Sequence, residues 1–192
     1  MKDFFLILAS ASRYRAQLLA RLGIAFEVWP PDVDEAPRTG EPPPETASRL
    51  ALAKAQAARS RFPNAWIVGS DQVAELDGQP LGKPVERARA REQLRAMRGH
   101  SVHFHTAVCL LVGDRIHQAL VTTRVDFRDL SDAEVERYLD KEPAFDCAGS
   151  AKIEAMGIVL PARVEGEDPT ALVGLPLIAL AGMLRAEGAE LP

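Results

Sequence analysis

The chain has 192 residues, of which 47% are hydrophobic and 26% charged, as in an ordinary globular protein of one domain or one domain with two lobes. Its formal net charge of −4 and pI of about 5.6 exclude a protein that depends on a basic field to bind nucleic acid or an acidic membrane. Any anionic substrate must therefore be held by a local cluster of positive groups.

The start of the chain resembles a secretory leader only superficially. Asp3 interrupts the positive segment that a leader needs, and the apolar run of residues 4–9 is short for one. Cys109 and Cys147 have no CxxC spacing, which favours two thiols in a reducing compartment. No apolar run is long enough for a membrane span. We expect a cytoplasmic protein.

The first predicted unit is a strand over residues 4–9, a serine-rich turn and a helix over residues 13–22. Ser12 is a candidate helix cap, and Gly23 is suited to end the helix. Backbone N–H groups converge where a strand leads into a helix, so this turn is a candidate anion site. Arg15 adds positive charge to it.

The next predicted unit is a second strand over residues 26–29, followed by a proline-rich, acidic loop that contains Asp34 and Glu35. A long helix is predicted over residues 45–61. Its inward stripe is small and apolar except for Lys54, which is unusual at such a position. Lys54 either extends past the core to solvent or faces a site.

In the rest of the chain, strand patterns and helix patterns alternate, which predicts an α/β protein with a mixed β-sheet flanked by helices. Asp71 and Gln72 follow a buried strand, where ligands gather in α/β folds, and Lys83 follows a glycine. The predicted elements are a strand at 65–68, a hairpin at 73–81 about Asp77-Gly78, a helix at 85–98, strands at 102–112 and 115–127, a helix with a capping box at 131–141, a strand at 158–164 and a helix at 176–187.

Several common site motifs are absent. The run from Gly78 to Pro84 is too short for a P-loop, and neither a G-x-G-x-x-G nor a G-x-S-x-G motif occurs. The remaining candidates combine cations and N–H groups that suit an anion with carboxylates that suit a metal or an attacking water. Taken singly, each has a structural reading as a cap, a turn or a solvated charge. The candidates are Ser10, Ser12, Arg15, Asp34, Glu35, Asp71 and Lys83.

Five blocks of sequence, in order, resemble the Maf family of nucleotide pyrophosphatases. They are 6–35, with Ser10-Ala11-Ser12, Arg15 and Asp34-Glu35; 53–55, with Lys54; 69–73, Gly-Ser-Asp-Gln-Val; 81–84, Leu-Gly-Lys-Pro; and 173–177, Val-Gly-Leu-Pro-Leu. The resemblance covers nearly the whole chain and implies a single Maf-like domain over residues 1–192. It also implies an elongated, two-lobed, inosine-triphosphatase-like fold with a central cleft, and a possible homodimer.

The resemblance further implies that the protein hydrolyses a nucleoside triphosphate with the help of Mg²⁺ or Mn²⁺. On this interpretation Asp71 is the general base, and Glu35 supports the metal or the water, with Asp34 as the alternative. Lys54 and Lys83 neutralise the triphosphate together with Arg15 and the turn of Ser10 and Ser12. Glu35 and Asp71 are the expected metal ligands.

Three further positions resemble the branch of the family that hydrolyses 7-methyl-GTP. These are Tyr14, Gln72 and Glu154. An N7-methylated guanine is cationic, so an aromatic face and a carboxylate suit it, although Tyr14 also falls on the apolar stripe of its helix. The alternatives are a dTTP/UTP pyrophosphatase of the same family and a nucleotide-binding regulator of cell division.

Overall fold

The computed structural model describes residues 4–192 as seven strands and five α-helices. The strands are β1 (Leu6–Ala9), β2 (Phe26–Val28), β3 (Trp66–Leu76), β4 (Gln79–Leu81), β5 (Ser101–Val112), β6 (Arg115–Phe127) and β7 (Pro161–Glu165). The helices are α1 (Arg13–Ala20), α2 (Pro43–Arg59), α3 (Arg87–Met97), α4 (Asp132–Lys141) and α5 (Leu177–Ala186). Short 3₁₀ turns occupy Ala148–Ser150, Met156–Val159 and Ala171–Val173.

The strands form one mixed sheet in the order β2-β1-β3-β5-β6-β7, with β4 paired to β3. β1 runs parallel to β2 and β3, and the other pairings are antiparallel. The α/β class with a mixed sheet flanked by helices is therefore confirmed. None of the helices within residues 4–192 has the length and apolar character needed to cross a membrane.

The molecule has two halves that share the long strands β3, β5 and β6. In the first half, α1 and α5 pack on one face of the sheet and α2 on the other. In the second half, α3 and α4 cover one face of the far ends of the same strands. The three hydrophobic clusters hold these layers together, and the cleft described below lies where the halves meet.

Local sequence signals determine most element boundaries. Ser12 accepts a hydrogen bond from the Arg15 N–H and caps α1, and Ser131 forms the predicted capping box with Glu134. The hairpin between β3 and β4 turns at Asp77-Gly78, where both residues have positive φ. Most predicted boundaries agree within two residues, whereas Asp3, used to argue against a leader, lies outside the described residues.

Two predicted strands are wrong in their extent. The strand predicted to end at residue 68 continues to Leu76, because β5 pairs with it along its whole length, so Asp71 lies within β3 and not at a strand end. Gly69 does not end the strand; it allows the close approach of α2, since a Cβ there would lie 2.2 Å from the Ala51 carbonyl oxygen. The strand predicted over 158–164 begins only at Pro161, after a 3₁₀ turn.

Candidate active site

A cleft of about 400 Å³ lies between the two halves of the molecule. Its walls come from the β1–α1 turn, the loop after β2, α2, β3, the loop after β4, and two segments near residues 146–154 and 172–174. Nine of the eleven candidate site residues line it: Ser10, Ser12, Tyr14, Arg15, Glu35, Lys54, Gln72, Lys83 and Glu154. Asp71 does not line the cleft and reaches it through its ion pair with Lys54.

The β1–α1 turn forms one wall and is held by its own side chains. The Ser12 N–H donates to Ser10 Oγ at 3.1 Å. The partly buried side chain of Arg15 extends beneath this turn and donates from Nε to the Gly174 carbonyl at 2.8 Å and from its guanidinium to Ser10 Oγ at 3.4 Å. Burial lowers the pKa of Arg15, while Asp71 and Glu35 raise it. The turn thus presents a fixed positive group beside a helix N-terminus.

Lys54 joins two carboxylates that come from distant parts of the chain. Its Nζ lies 2.6 Å from Asp71 Oδ1 and 2.7 Å from Glu35 Oε1. Lys54 and Asp71 are buried, and Glu35 is about half exposed. The inward position of Lys54 is therefore explained by the site: α2 places its ammonium against β3, and the neighbouring alanines of α2 pack in the core.

The pKa of Glu35 reflects these positive neighbours. Burial alone raises it, but the hydrogen bond and charge of Lys54, together with the charges of Lys83 and Arg15, outweigh burial and lower it. Glu35 is therefore a carboxylate surrounded by cations. Arg15, Lys54 and Lys83, with Glu35 and Asp71, are called the cationic cluster below.

Lys83 lies on a loop that the second half of the molecule holds in place. Gln93 of α3 donates to the Gly82 carbonyl at 2.8 Å, and the Val85 N–H donates to the Phe145 carbonyl at 3.2 Å. Val85 has φ = 66°, a conformation that is uncommon for a β-branched residue. Strained backbone of this kind is concentrated at functional sites. It also explains why α3 begins at Arg87 and not at the predicted residue 85.

Tyr14 belongs to a second group of cleft residues. Tyr14 is partly exposed in the cleft and does not complete the apolar stripe of α1. Its hydroxyl donates to Asp146 Oδ2 at 3.3 Å and accepts from Arg13 at 2.7 Å. The guanidinium carbon of Arg13 lies 4.8 Å from the ring centroid, and Lys152 Nζ lies 5.5 Å from it. We call Tyr14, Asp146 and Glu154 the aromatic–acidic cluster.

Glu154 lines the cleft with a perturbed carboxyl group. Burial raises its pKa, the charge of Lys152 lowers it, and the charges of Asp146 and Glu142 raise it. Lys152 is itself paired with Glu142, its Nζ lying 2.9 Å from Oε1. Within residues 4–192 neither Asp146 nor Glu154 forms a salt bridge, so a cationic ligand would stabilise both carboxylates.

Gln72 has a fixed orientation. Its side-chain amide nitrogen donates to Thr106 Oγ1 at 2.9 Å and to the carbonyls of Ala171 and Leu172 at 3.0 Å each. Its amide oxygen accepts no hydrogen bond from any residue in the range 4–192. The arrangement leaves an acceptor for a ligand, which sequence analysis could not have predicted because it depends on the 3₁₀ turn of residues 171–173.

The structure adds Asp146 to the cleft, a residue that the sequence did not indicate, and it distinguishes Asp34 from Glu35. Asp146 lies in a loop without hydrophobic periodicity, so no sequence pattern distinguishes it. Asp34 accepts from the Ala36 N–H at 3.0 Å in a local turn, whereas Glu35 lines the cleft. His105 on β5 pairs with Glu75 and Thr122 and does not line the cleft.

The donor set near Lys54 suits Mg²⁺ or Mn²⁺ only together with a substrate. Within residues 4–192 no group of three or more histidine, cysteine or acidic side chains could hold a metal ion. Mg²⁺ in nucleotide enzymes, however, is commonly held by one or two carboxylates, waters and substrate phosphates. Glu35 and Asp71, which lie on the same ammonium group, are the residues that fit this pattern.

A family model and individual relatives point to the same protein family. The model of the Maf family, described as Maf-like protein, matches residues 5–187. A protein of Xanthomonas oryzae pv. oryzae named 7-methyl-GTP pyrophosphatase is 58% identical over 97% of this chain and 98% of its own length. Proteins of the same name from Cupriavidus pinatubonensis and Aromatoleum aromaticum are each 57% identical, over 95% and 97% of this chain and 93% and 97% of their own.

Among solved structures, the Staphylococcus aureus Ham1 protein is similar, with a TM-score of 0.47 and 19% identity over 65% of this chain and 72% of that one. That similarity is too low to add to the comparison of sequences. The family match spans most of the chain, and the blocks that carry the resemblance bring their polar residues to one cleft. The chain therefore belongs to the Maf family.

Proposed function

We propose that this protein is a nucleoside triphosphate pyrophosphatase that hydrolyses 7-methyl-GTP to 7-methyl-GMP and diphosphate, and so removes modified nucleotides from the pool. One observation carries the proposal: a single cleft contains both a cationic cluster that suits a triphosphate and an aromatic–acidic cluster that suits a cationic base. The names of relatives at 51–58% identity support it.

The cationic cluster would hold the phosphates. Arg15 and the N–H groups at the start of α1 are positioned by hydrogen bonds within the β1–α1 turn, so little side-chain freedom is lost on binding. Lys54 on α2 and Lys83 on the loop after β4 supply further positive charge. Such preorganised cations stabilise the charge that develops on a phosphoryl group during its transfer.

Asp71 would be the general base. Its Oδ1 is held by Lys54, and its Oδ2 accepts no hydrogen bond from the described residues and is not sealed from solvent. It would take a proton from a water as the water oxygen attacks the α-phosphorus, the bond between that phosphorus and the bridging oxygen breaks, and diphosphate leaves. A divalent cation held by Glu35 and Asp71 would lower the pKa of the water and offset phosphate charge.

The aromatic–acidic cluster would recognise the base. Tyr14 offers a ring face to a cationic purine, and Glu154 offers a carboxylate to its positive charge and N–H groups. The amide oxygen of Gln72 offers a further acceptor. A pyrimidine is smaller and uncharged, which is why the dTTP/UTP alternative is less well supported by these residues.

The direct test is diphosphate release from 7-methyl-GTP, GTP, dTTP, UTP and inosine triphosphate with Mg²⁺ or Mn²⁺. We expect 7-methyl-GTP to be preferred. Turnover of dTTP and UTP in its place would favour the other branch of the family. Tight binding of nucleotides with no turnover of any of them would favour the nucleotide-binding regulator of cell division. A cytoplasmic location and a homodimer remain predictions that go with the proposal.

The preference for 7-methyl-GTP should weaken in acid. A cationic base is attracted only to ionised Glu154, and burial raises the pKa of that carboxyl group. The preference is therefore present above this pKa and is lost as the pH falls through it. Because the pKa is raised, this loss occurs at a higher pH than for an ordinary glutamate, whose pKa is about 4.3. Ratios of kcat/KM for 7-methyl-GTP and GTP across acidic pH provide the measurement. In Glu154→Gln the ratio should be lower and should lose this pH dependence.

A further inference from the structure

Asp146 has contacts that its exposed position in a loop does not require. It lines the cleft, and its Oδ2 accepts the hydroxyl of Tyr14, 132 positions earlier in the chain, at 3.3 Å. Arg13 donates to the same hydroxyl at 2.7 Å. The three side chains form a chain of hydrogen bonds across the cleft from Arg13 through Tyr14 to Asp146.

The charges around Tyr14 are unevenly matched. Lys152 is paired with Glu142, and the charge of Asp146 raises the pKa of Glu154. Arg13 faces both the Tyr14 ring and Asp146. Among the described residues, it is the one positive group there that has no carboxylate within salt-bridge distance. Arg13 is fully exposed, so a ligand could displace it at small cost.

We propose that Asp146 is a specificity-determining residue that selects a cationic base over a neutral one, and that Arg13 occupies the cationic position on Tyr14 until substrate replaces it. This inference rests on the proposed function, because it concerns the same substrate. A positively charged N7-methylated purine gains the attraction of Asp146, whereas unmethylated guanine does not. Both bases displace Arg13, but only the charged one is repelled by the displaced guanidinium while it is bound.

The proposal predicts changes of opposite sign for two neutralising substitutions. Asp146→Asn keeps an oxygen that can accept the Tyr14 hydroxyl but removes the charge. Arg13→Gln removes the competing cation. Asp114→Asn is the matched control, since Asp114 is an exposed carboxylate at the β5–β6 turn. That turn lies at the end of the sheet where β1 begins, whereas the cleft lies at the other end, beyond the last residue of β1. All three proteins should unfold at the same temperature as the wild type.

The measurement is the ratio of Kd values for 7-methyl-GMP and GMP by calorimetry, together with the ratio of kcat/KM for 7-methyl-GTP and GTP. We expect Asp146→Asn to lower the preference about fivefold, the upper range for an exposed charge pair, and Arg13→Gln to raise it. Asp114→Asn should leave it unchanged. The effect of Asp146→Asn should shrink as salt increases, because the screening length falls to about 3 Å at 1 M.

The possible failures are distinguishable. If the wild type hydrolyses other triphosphates without preferring 7-methyl-GTP, the proposed function is wrong. If the wild type prefers 7-methyl-GTP but Asp146→Asn retains the full preference, only the present inference is wrong. A loss of preference in both Asp146→Asn and Arg13→Gln would overturn it as well, since that result indicates that the two residues only hold the Tyr14 ring in position.

Discussion

Replacing Asp71 with asparagine is expected to lower kcat about 100- to 10,000-fold, the range that a general base contributes. The substitution keeps the size of the side chain and an oxygen that can accept from Lys54, so the hydrogen bond of 2.6 Å has an equivalent in the variant. It removes the carboxylate that would take the proton from water. The fold should remain intact, because Asn at this position still pairs on β3 and β5 in the same register.

The measurement is diphosphate release from 7-methyl-GTP, with the Kd of 7-methyl-GMP as a check that the site still binds. Glu75→Gln is the matched control. Glu75 lies on β3 four residues after Asp71, on the same face, and pairs with His105 at 2.7 Å outside the cleft. We expect the control to retain activity. An Asp71→Asn protein with a kcat within tenfold of the wild type would exclude Asp71 as the base and would direct attention to Glu35.

Lys54→Met is expected to remove activity and to destabilise the protein by about 3–5 kcal/mol, the range for breaking a buried ion pair by loss of one partner. Methionine fills a similar volume on α2 but leaves Asp71 buried without its cation. The triphosphate also loses a positive group. Urea unfolding and diphosphate release measure the two effects separately.

Two further measurements identify the cause of the destabilisation. The double variant Lys54→Met/Asp71→Asn should be more stable than Lys54→Met, because no buried charge is then left unpaired. Acidification should also reduce the difference in the free energy of unfolding between Lys54→Met and the wild type. The pKa of Glu35 is lowered in the folded protein, so the stability it contributes is present above its ordinary pKa and is lost as the pH falls through the lowered one. A difference that does not vary with pH would show that Lys54 stabilises by packing alone.

Local sequence signals predicted the elements that carry the cationic cluster, whereas only the resemblance to the Maf family joined its residues into one site. Ser12 follows the rules of helix capping, and the capping box and hairpin signals place the neighbouring elements within a few residues. Lys54 was recognisable because a lysine interrupts an apolar stripe, and the structure shows that both of its partners are carboxylates. Such signals are readable because each depends on a few adjacent residues.

Other features of the site depend on contacts between distant residues and could not be predicted from local signals. Asp71 was placed at a strand end because Gly69 resembles a terminator, but the pairing of β5 extends the strand past it. Asp146 lies 132 positions after Tyr14, so no local pattern indicates that the two side chains are in contact. The orientation of Gln72 depends on carbonyl groups about 100 positions later in the chain.

The strands β3, β5 and β6 pass through both halves of the molecule, and this continuity has a consequence for how the site can be divided. Lys54 and Asp71 are joined to the first half, whereas Lys83, Asp146 and Glu154 depend on the second. A cut between β4 and β5 separates Lys54, Asp71 and Lys83 from Asp146 and Glu154, and it leaves β3 and β5 each with a long unpaired edge. On the proposed function, phosphate binding and base recognition would therefore both depend on the intact sheet, and neither half of the molecule would carry a complete site.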